Sequence, residues 1–447
     1  MDSPTDGQPG MPQRLLSRFG ASTVARRITG VFLGFSLAKG LNFLAILLLL
    51  RFLTEPQWAL FVAFQAVRML CPRLVWDGIA TAMVRYASEY RSESGLEPMG
   101  LFRKSVLLAL AIYLGLMLAG LAGRGLLAQL LFGRADYAHA VVAGLLGGVG
   151  YLLVLQQNRI YQAREEFRRY VGIILAQSVL LLAYVAGLAA MGWLHFVTIA
   201  YGLLALDLLV GGVLLAGSLT PRGATGSVAS SHTLGQVFLA SGLLMVYHIT
   251  LVGFSQLDVM MLSHLAGQRE LAQYGVAFRF YTAALLLLGA IQAVLLPHFS
   301  RRRMQGAGEQ RRFVGTWFRH MVWVAVPLVL LNLLGRPLYV LLTGQRYAES
   351  FGIWVILSIG AFISLMCSPM VSILISRSRF AVVLLLGLSA LVFNVAGNLA
   401  LIPLIGGRGA AVATIASHAV VNVSAVLIVL FGAGEAGKAP QPAAEQT

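Results

Sequence analysis

The chain is short of charge. Of its 447 residues only 11% are Asp, Glu, Lys or Arg, whereas 58% are hydrophobic and the mean hydropathy is +0.81. That balance excludes a soluble globular domain and identifies an integral membrane protein. Cysteine is nearly absent: Cys71 and Cys367 both fall within apolar runs, which excludes a disulfide framework and a cysteine zinc site, and no cofactor or metal is expected. The N-terminal residues 1–27 hold Asp, Pro, Gln and Arg in place of the short apolar core of a signal peptide, so they are expected to form a cytosolic tail. Catalytic signatures are missing too. There is no Walker loop, no HExxH, no GxSxG and no site with paired carboxylates, so no enzyme is expected.

What the chain does have is apolar runs of about 20 residues, the length a helix needs to cross the hydrocarbon core. They are continuous instead of alternating, which favours helices over a barrel. Spans are expected near 28–50, 58–83, 104–123, 137–158, 170–190, 196–217, 236–263, 270–297, 317–335, 350–376, 380–402 and 409–432. The amphipathic stretch "GRGLLAQLLFG" (123–133) is too short to cross and is expected at an interface. The formal charge of +16 is scattered over short loops, which points away from nucleic acid as a partner. Lys and Arg are about three times more numerous on one side of the expected spans, which places both termini in the cytoplasm.

Residues 218–235, rich in Gly, Ser and Thr, separate six spans from six. The expected organisation is therefore a tail (1–27), an N-lobe (28–217), a cytosolic linker (218–235), a C-lobe (236–432) and a second cytosolic tail (433–447). A repeat supports the division. "RFLTEPQWALFVAF" from Arg51 aligns with "HLAGQRELAQYGVAF" from His264, setting Ala59 on Ala272 and Phe61 on Tyr274. Because six is even, the halves enter the membrane in the same sense. The predicted fold is all-α: a polytopic membrane protein of twelve transmembrane helices in two six-helix lobes related by a parallel pseudo-two-fold.

Charge inside the spans needs a reason, since a charged side chain at mid-bilayer costs about 2.5–3.5 kcal/mol on insertion scales. Lys39, Arg68, Arg73 and Arg279 are candidates to line a cationic cavity that binds substrate. Arg73 and Asp77 are four apart and able to pair, as a structural pair or as part of the cavity. Arg68 lies about 140° round the helix from Arg73 and needs a different partner. Pro72 removes an amide hydrogen and is expected to bend the span. Asn42, His248, Asn394, Asn398, His418 and Asn422 are candidate polar residues of the cavity, with helix-to-helix bonding as the other reading. Asp258 is a candidate for ion coupling or for helix packing.

Several segments together carry a resemblance: "LLRFLTEPQWALFVAF" (49–64), "WDGIATAMVRYASEY" (76–90), "SQLDVMMLSHLAGQRELAQYGVAFRF" (255–280), "LLPHFSR" (295–301) and "LIPLIGGRGAAVATIAS" (401–417). In order and spacing the chain resembles the polysaccharide (oligosaccharide) flippases, similar to O-antigen flippases, of the multidrug/oligosaccharidyl-lipid/polysaccharide exporter superfamily. It departs from them where Thr54, Glu55 and Pro56 replace the usual Gly-Pro of the first loop, and where Trp58 stands. The resemblance implies a flippase of the cell inner membrane that moves an undecaprenyl-pyrophosphate-linked oligosaccharide to the periplasmic leaflet by alternating access. Its cargo would serve polysaccharide or lipopolysaccharide synthesis, with membrane lipids and other polysaccharide assembly proteins as partners. Lipid II flippases of the superfamily carry two further C-terminal helices, so peptidoglycan precursor is not the expected cargo. Two other readings are weaker. A cation-coupled drug or metabolite antiporter would want an anionic cavity, and a membrane glycan polymerase or ligase would want a large periplasmic loop.

Overall fold

The computed structural model describes residues 11–218, 220, 246, 256–301, 307–376 and 379–431. Their regular structure is helical: α1 Met11–Phe52, α2 Glu55–Ser94, α3 Met99–Ala122, α4 Arg124–Phe132, α5 Ala138–Ala163, α6 Phe167–Ala190 and α7 Phe196–Ser218. There follow α8 over 256–265, α9 Gly267–Arg301, α10 Ala307–Leu334, α11 Arg336–Thr343, α12 Ser350–Ser376 and α13 Phe380–Phe431. Among the described residues, eight helices are long and apolar enough to cross a membrane, or up to nine if α10 and α11, bent by 70°, form one span. Leu33, Leu107, Leu118, Leu209 and Leu385 are exposed along them, an outer surface suited to lipid. The chain is a multi-pass membrane protein. Helix α1 begins at Met11, well inside the segment expected to be a tail, and α4 is the short helix expected over 123–133.

The longest helix, α13, is two antiparallel arms. Ile405 (φ −135°, ψ 18°) and Gly406 (φ 56°, ψ −133°) break it, the latter in a region that glycine enters at little cost. A Cβ on Gly409 would stand 2.4 Å from the Leu401 carbonyl, and one on Gly397 2.9 Å from the Ala413 Cβ. Both pairs are equidistant in sequence from Ile405, so the arms lie side by side. Glu270 of α9 closes the bend by accepting the Gly407 N–H at 2.7 Å, which satisfies one of the free donors at the start of the second arm. The arms coincide with the expected spans 380–402 and 409–432.

Helices α2, α5 and α7 pack in series, as do α9, α12 and α13, while α1 lies on α6. The two series meet near Trp58. Its Nε1 donates to the Ala272 carbonyl at 3.2 Å, Arg51 donates to Leu341 at 3.1 Å, Arg346 to Leu53 at 2.6 Å and Ser263 to Phe132 at 3.1 Å. Val62 packs directly on Gly275, a pair at the same sequence separation as the aligned Ala59 and Ala272. Equivalent positions touch each other only near a two-fold axis. One apolar core, including Phe61, Val62, Tyr274 and Val276, spans this junction. Away from it the cores part: Trp76, Met83, Phe102 and Ile160 form one cluster, and Met370, Leu374, Val383 and Val429 another. The described residues are thus joined at one end and separate at the other.

A shared module marks both series. After α4, a 3-10 turn ends in Tyr137, fully buried, with the Arg134 guanidinium 5.6 Å from its ring. After α11, a second such turn ends in fully buried Tyr347, with Arg346 at 6.0 Å.

Candidate functional site

The four candidate cations stand as a line of electrostatic neighbours. Helix α5 makes this possible through its glycines. A Cβ on Gly147 would come 3.3 Å from the Arg68 Cδ, and one on Gly150 2.7 Å from the Asp207 Cβ, so α2 and α7 approach α5 closely enough for their side chains to meet. Arg68 pairs with Asp207, the two side chains being only 7% and 2% exposed. Arg68 also donates to Gln65 Oε1 at 3.0 Å, and Gln177 of α6 donates to the other Asp207 oxygen at 2.6 Å. The Arg68 guanidinium lies 4.7 Å from the centre of the Tyr151 ring, a cation–π contact. Tyr151 and Asp77 also stand within electrostatic reach of Arg73. Lys39 stands within electrostatic reach of Arg73, and Arg279 within reach of Arg68.

The cluster therefore runs Lys39, Arg73, Tyr151, Arg68, Arg279 and crosses from the first series of helices to the second. Its two acids, Asp77 and Asp207, balance two of the four cations. Among the described residues no carboxylate bonds Lys39, which is exposed, or Arg279, which is half-buried. Arg68, a candidate cavity cation that needs a partner other than Asp77, is held in a buried pair because α5 has no side chains at Gly147 and Gly150 to keep Asp207 away. Sequence reasoning missed Asp207 and Tyr151. Asp207 could have been found, since it is a lone carboxylate within the apolar run 196–217 and the cost that singled out Arg68 applies equally to it. Tyr151 carries no such mark.

A second polar site lies wholly in the other series. Asp258 is 3% exposed, and four neutral groups donate to it: Asn394 Nδ2 at 2.9 Å and Asn398 Nδ2 at 2.8 Å to one oxygen, Tyr274 Oη at 2.6 Å and Thr414 Oγ1 at 2.5 Å to the other. The donors come from α9 and from both arms of α13, so the hairpin is what completes the cage. Asn394 and Asn398 are thereby spent on Asp258 instead of lining a cavity. No basic side chain takes part in these four bonds, which leaves the carboxyl group held by hydroxyls and amides alone.

Of the remaining expected residues, His418 lies, with its partner Tyr281, within electrostatic reach of Asp258. His418 Nε2 meets the Tyr281 hydroxyl at 3.0 Å, its Nδ1 lies 3.4 Å from Ser364, and Asn422 donates to the His418 carbonyl at 2.8 Å. Asn42 donates to Ser178 at 2.7 Å, tying α1 to α6. His248 lies outside the described residues.

Comparison with known proteins agrees with this architecture. Residues 24–302 match the model of a family described as polysaccharide biosynthesis protein. No individually curated protein matches the chain. Among solved structures, the chain is similar to the lipid II flippase MurJ in an inward closed conformation, with a TM-score of 0.70 and 14% identity over 90% of this chain and 87% of that one. It is similar to an inward-facing multidrug resistance MATE family transporter, with a TM-score of 0.69 and 13% identity over 92% and 96%. A third likeness is to a MOP superfamily transporter from Pyrococcus furiosus, described as having a binding pocket of reverse polarity, with a TM-score of 0.65 and 11% identity over 92% and 96%. The fold is that of MOP superfamily transporters.

Proposed function

The chain belongs to the polysaccharide biosynthesis protein family, and from that premise we propose that it flips an undecaprenyl-pyrophosphate-linked oligosaccharide from the cytoplasmic to the periplasmic leaflet of the cell inner membrane. The observation that carries the reading is the cluster of Lys39, Arg73, Arg68 and Arg279, which has two more cations than acids and reaches across both series of helices. A diphosphate diester carries two negative charges. It is matched by the surplus, and guanidinium groups are suited to its oxygens. A cationic drug is not.

The reading assigns twelve spans to two six-helix lobes, with α8 completing the seventh, α10 the ninth and the arms of α13 the last two. Both termini lie in the cytoplasm, and the junction at Trp58 is the periplasmic end. Arg68 is ten residues further along α2 than Trp58, which puts the cluster roughly 15 Å below the junction, on the side where the cores separate. The headgroup enters there from the cytoplasm and meets Arg73 and Arg279, one from each lobe, while the prenyl chain stays in lipid. Neutralising the cluster lets the lobes close on the cytoplasmic side and part at Trp58. Asp258, with four neutral donors, is the coupling group, taking up a proton or a monovalent cation as the C-lobe changes shape.

Arg73→Ala and Arg279→Ala are expected to abolish surface glycan while the protein stays in the membrane, and deletion of the gene is expected to leave lipid-linked glycan on the cytoplasmic face. Normal export by both variants would refute the reading.

A further inference from the structure

We propose that Asp207 is an internal anion that occupies Arg68 in the empty transporter and is exchanged for the arriving diphosphate. Asp207 thus sets how tightly the headgroup is held and how readily it leaves. The inference rests on the reading of the charge cluster given above.

Such an exchange has requirements that this site meets. Arg68 must have bonding capacity to spare, and its buried Nε has no partner. A diphosphate oxygen offers that nitrogen an acceptor which Asp207 does not reach. Asp207 must keep a donor once Arg68 turns away, and the Gln177 amide stays 2.6 Å from its Oδ1. The anion must gain more than Asp207 loses. Arg279 supplies the gain, since it lies within electrostatic reach of Arg68 and bonds no carboxylate among the described residues. Breaking a buried pair is costly because it leaves an uncompensated charge, so Asp207 opposes the headgroup on entry and favours its departure. A cluster without this acid would bind more tightly and release more slowly.

The test uses full-length protein in detergent micelles and in proteoliposomes, with geranylgeranyl diphosphate as the binding probe and a fluorescent prenyl-diphosphate-linked sugar as the transport probe. Asp207→Asn keeps the side-chain shape and removes the charge. It is expected to bind the diphosphate more tightly, on the order of ten-fold, and to flip more slowly, the gain reflecting one removed like charge at close range. Asp207→Glu is expected to return affinity toward that of the wild type. Gln177→Glu replaces the amide that donates to Asp207 Oδ1 with a second acid, taking away the donor that Asp207 keeps when Arg68 turns away, and is expected to weaken binding. A purely structural role for Asp207 predicts weaker or unchanged binding in Asp207→Asn, and that result overturns the proposal. Should Asp207→Asn fail to reach the membrane, Gln177→Glu decides: unchanged or tighter binding overturns the proposal. Loss of binding in Arg279→Ala shows that the charge cluster binds the headgroup whichever way Asp207 behaves, whereas failure of the wild type to bind the probe overturns both readings.

Discussion

Adding one methyl group at Gly275 should open the junction between the two series of helices. A Cβ there would stand 2.5 Å from Val62 Cγ2, 3.3 Å from its Cγ1 and 3.4 Å from Trp58 Nε1. Val62 is 4% exposed and β-branched, so its side chain has no free rotamer into which to retreat. Relief comes from moving α2 away from α9. Overpacking of this kind costs about 1–3 kcal/mol, and the cost falls only on the state in which Val62 and Gly275 touch. A differential energy of about 1–3 kcal/mol shifts a two-state balance about 5- to 150-fold. Gly275→Ala should therefore populate the form parted at Trp58, with slower export because the return to the joined form is disfavoured. Spin labels on Thr54 and Gln345, exposed on opposite sides of the junction, would report this as a growing long-distance population in a background lacking Cys71 and Cys367. An unchanged distance distribution in a folded Gly275→Ala protein would refute the reasoning.

Tyr151→Phe keeps the ring beneath Arg68 and removes the hydroxyl that stands within electrostatic reach of Arg73, so transport should fall several-fold with thermal stability within about 0.5 kcal/mol of the wild type, read by flipping and melting assays side by side. Asp258→Asn places amide hydrogens against a shell of four donors and should cost about 1–3 kcal/mol per group left unsatisfied, seen as a lowered melting temperature, and should make export insensitive to an imposed ion gradient. Arg164→Ala should destabilise by about 3 kcal/mol in thermal unfolding, because the guanidinium, 1% exposed, ties Glu97 at 3.0 Å and the Thr220 carbonyl at 3.3 Å to the end of α5.

Among the described residues most expected spans fall within helices, because hydrophobic length is a local property that any window of sequence carries; the span expected at 236–263 lies largely outside the described residues, and eight or nine helices qualify as spans where twelve were expected. The hairpin of α13 was legible for the same reason: the gap between 402 and 409 holds Gly406, where the backbone takes a positive φ. The cations were legible too, since a charge in an apolar run announces itself. Partner choice was not. Nothing in the spacing of α2 says that Arg68 meets Asp207, 139 residues away, because the meeting depends on glycines of a third helix. Helical geometry sets Arg68 apart from Asp77, and Arg68 pairs with Asp207. Asn394, Asn398 and Asp258 were each singled out, but not that they form one site, since that depends on how α8 docks against the hairpin.

The cage around Asp258 also bears on how the molecule is made. Its carboxylate leaves the ribosome 136 residues before Asn394 and 156 before Thr414. At about 5–20 residues per second, the newborn chain holds an acid in the bilayer for roughly 8–30 s before its last donor emerges. During that wait the second half of the protein has no finished resting place for its own charge. Truncation anywhere before residue 414 should leave a product that the cell recognises as incomplete and degrades.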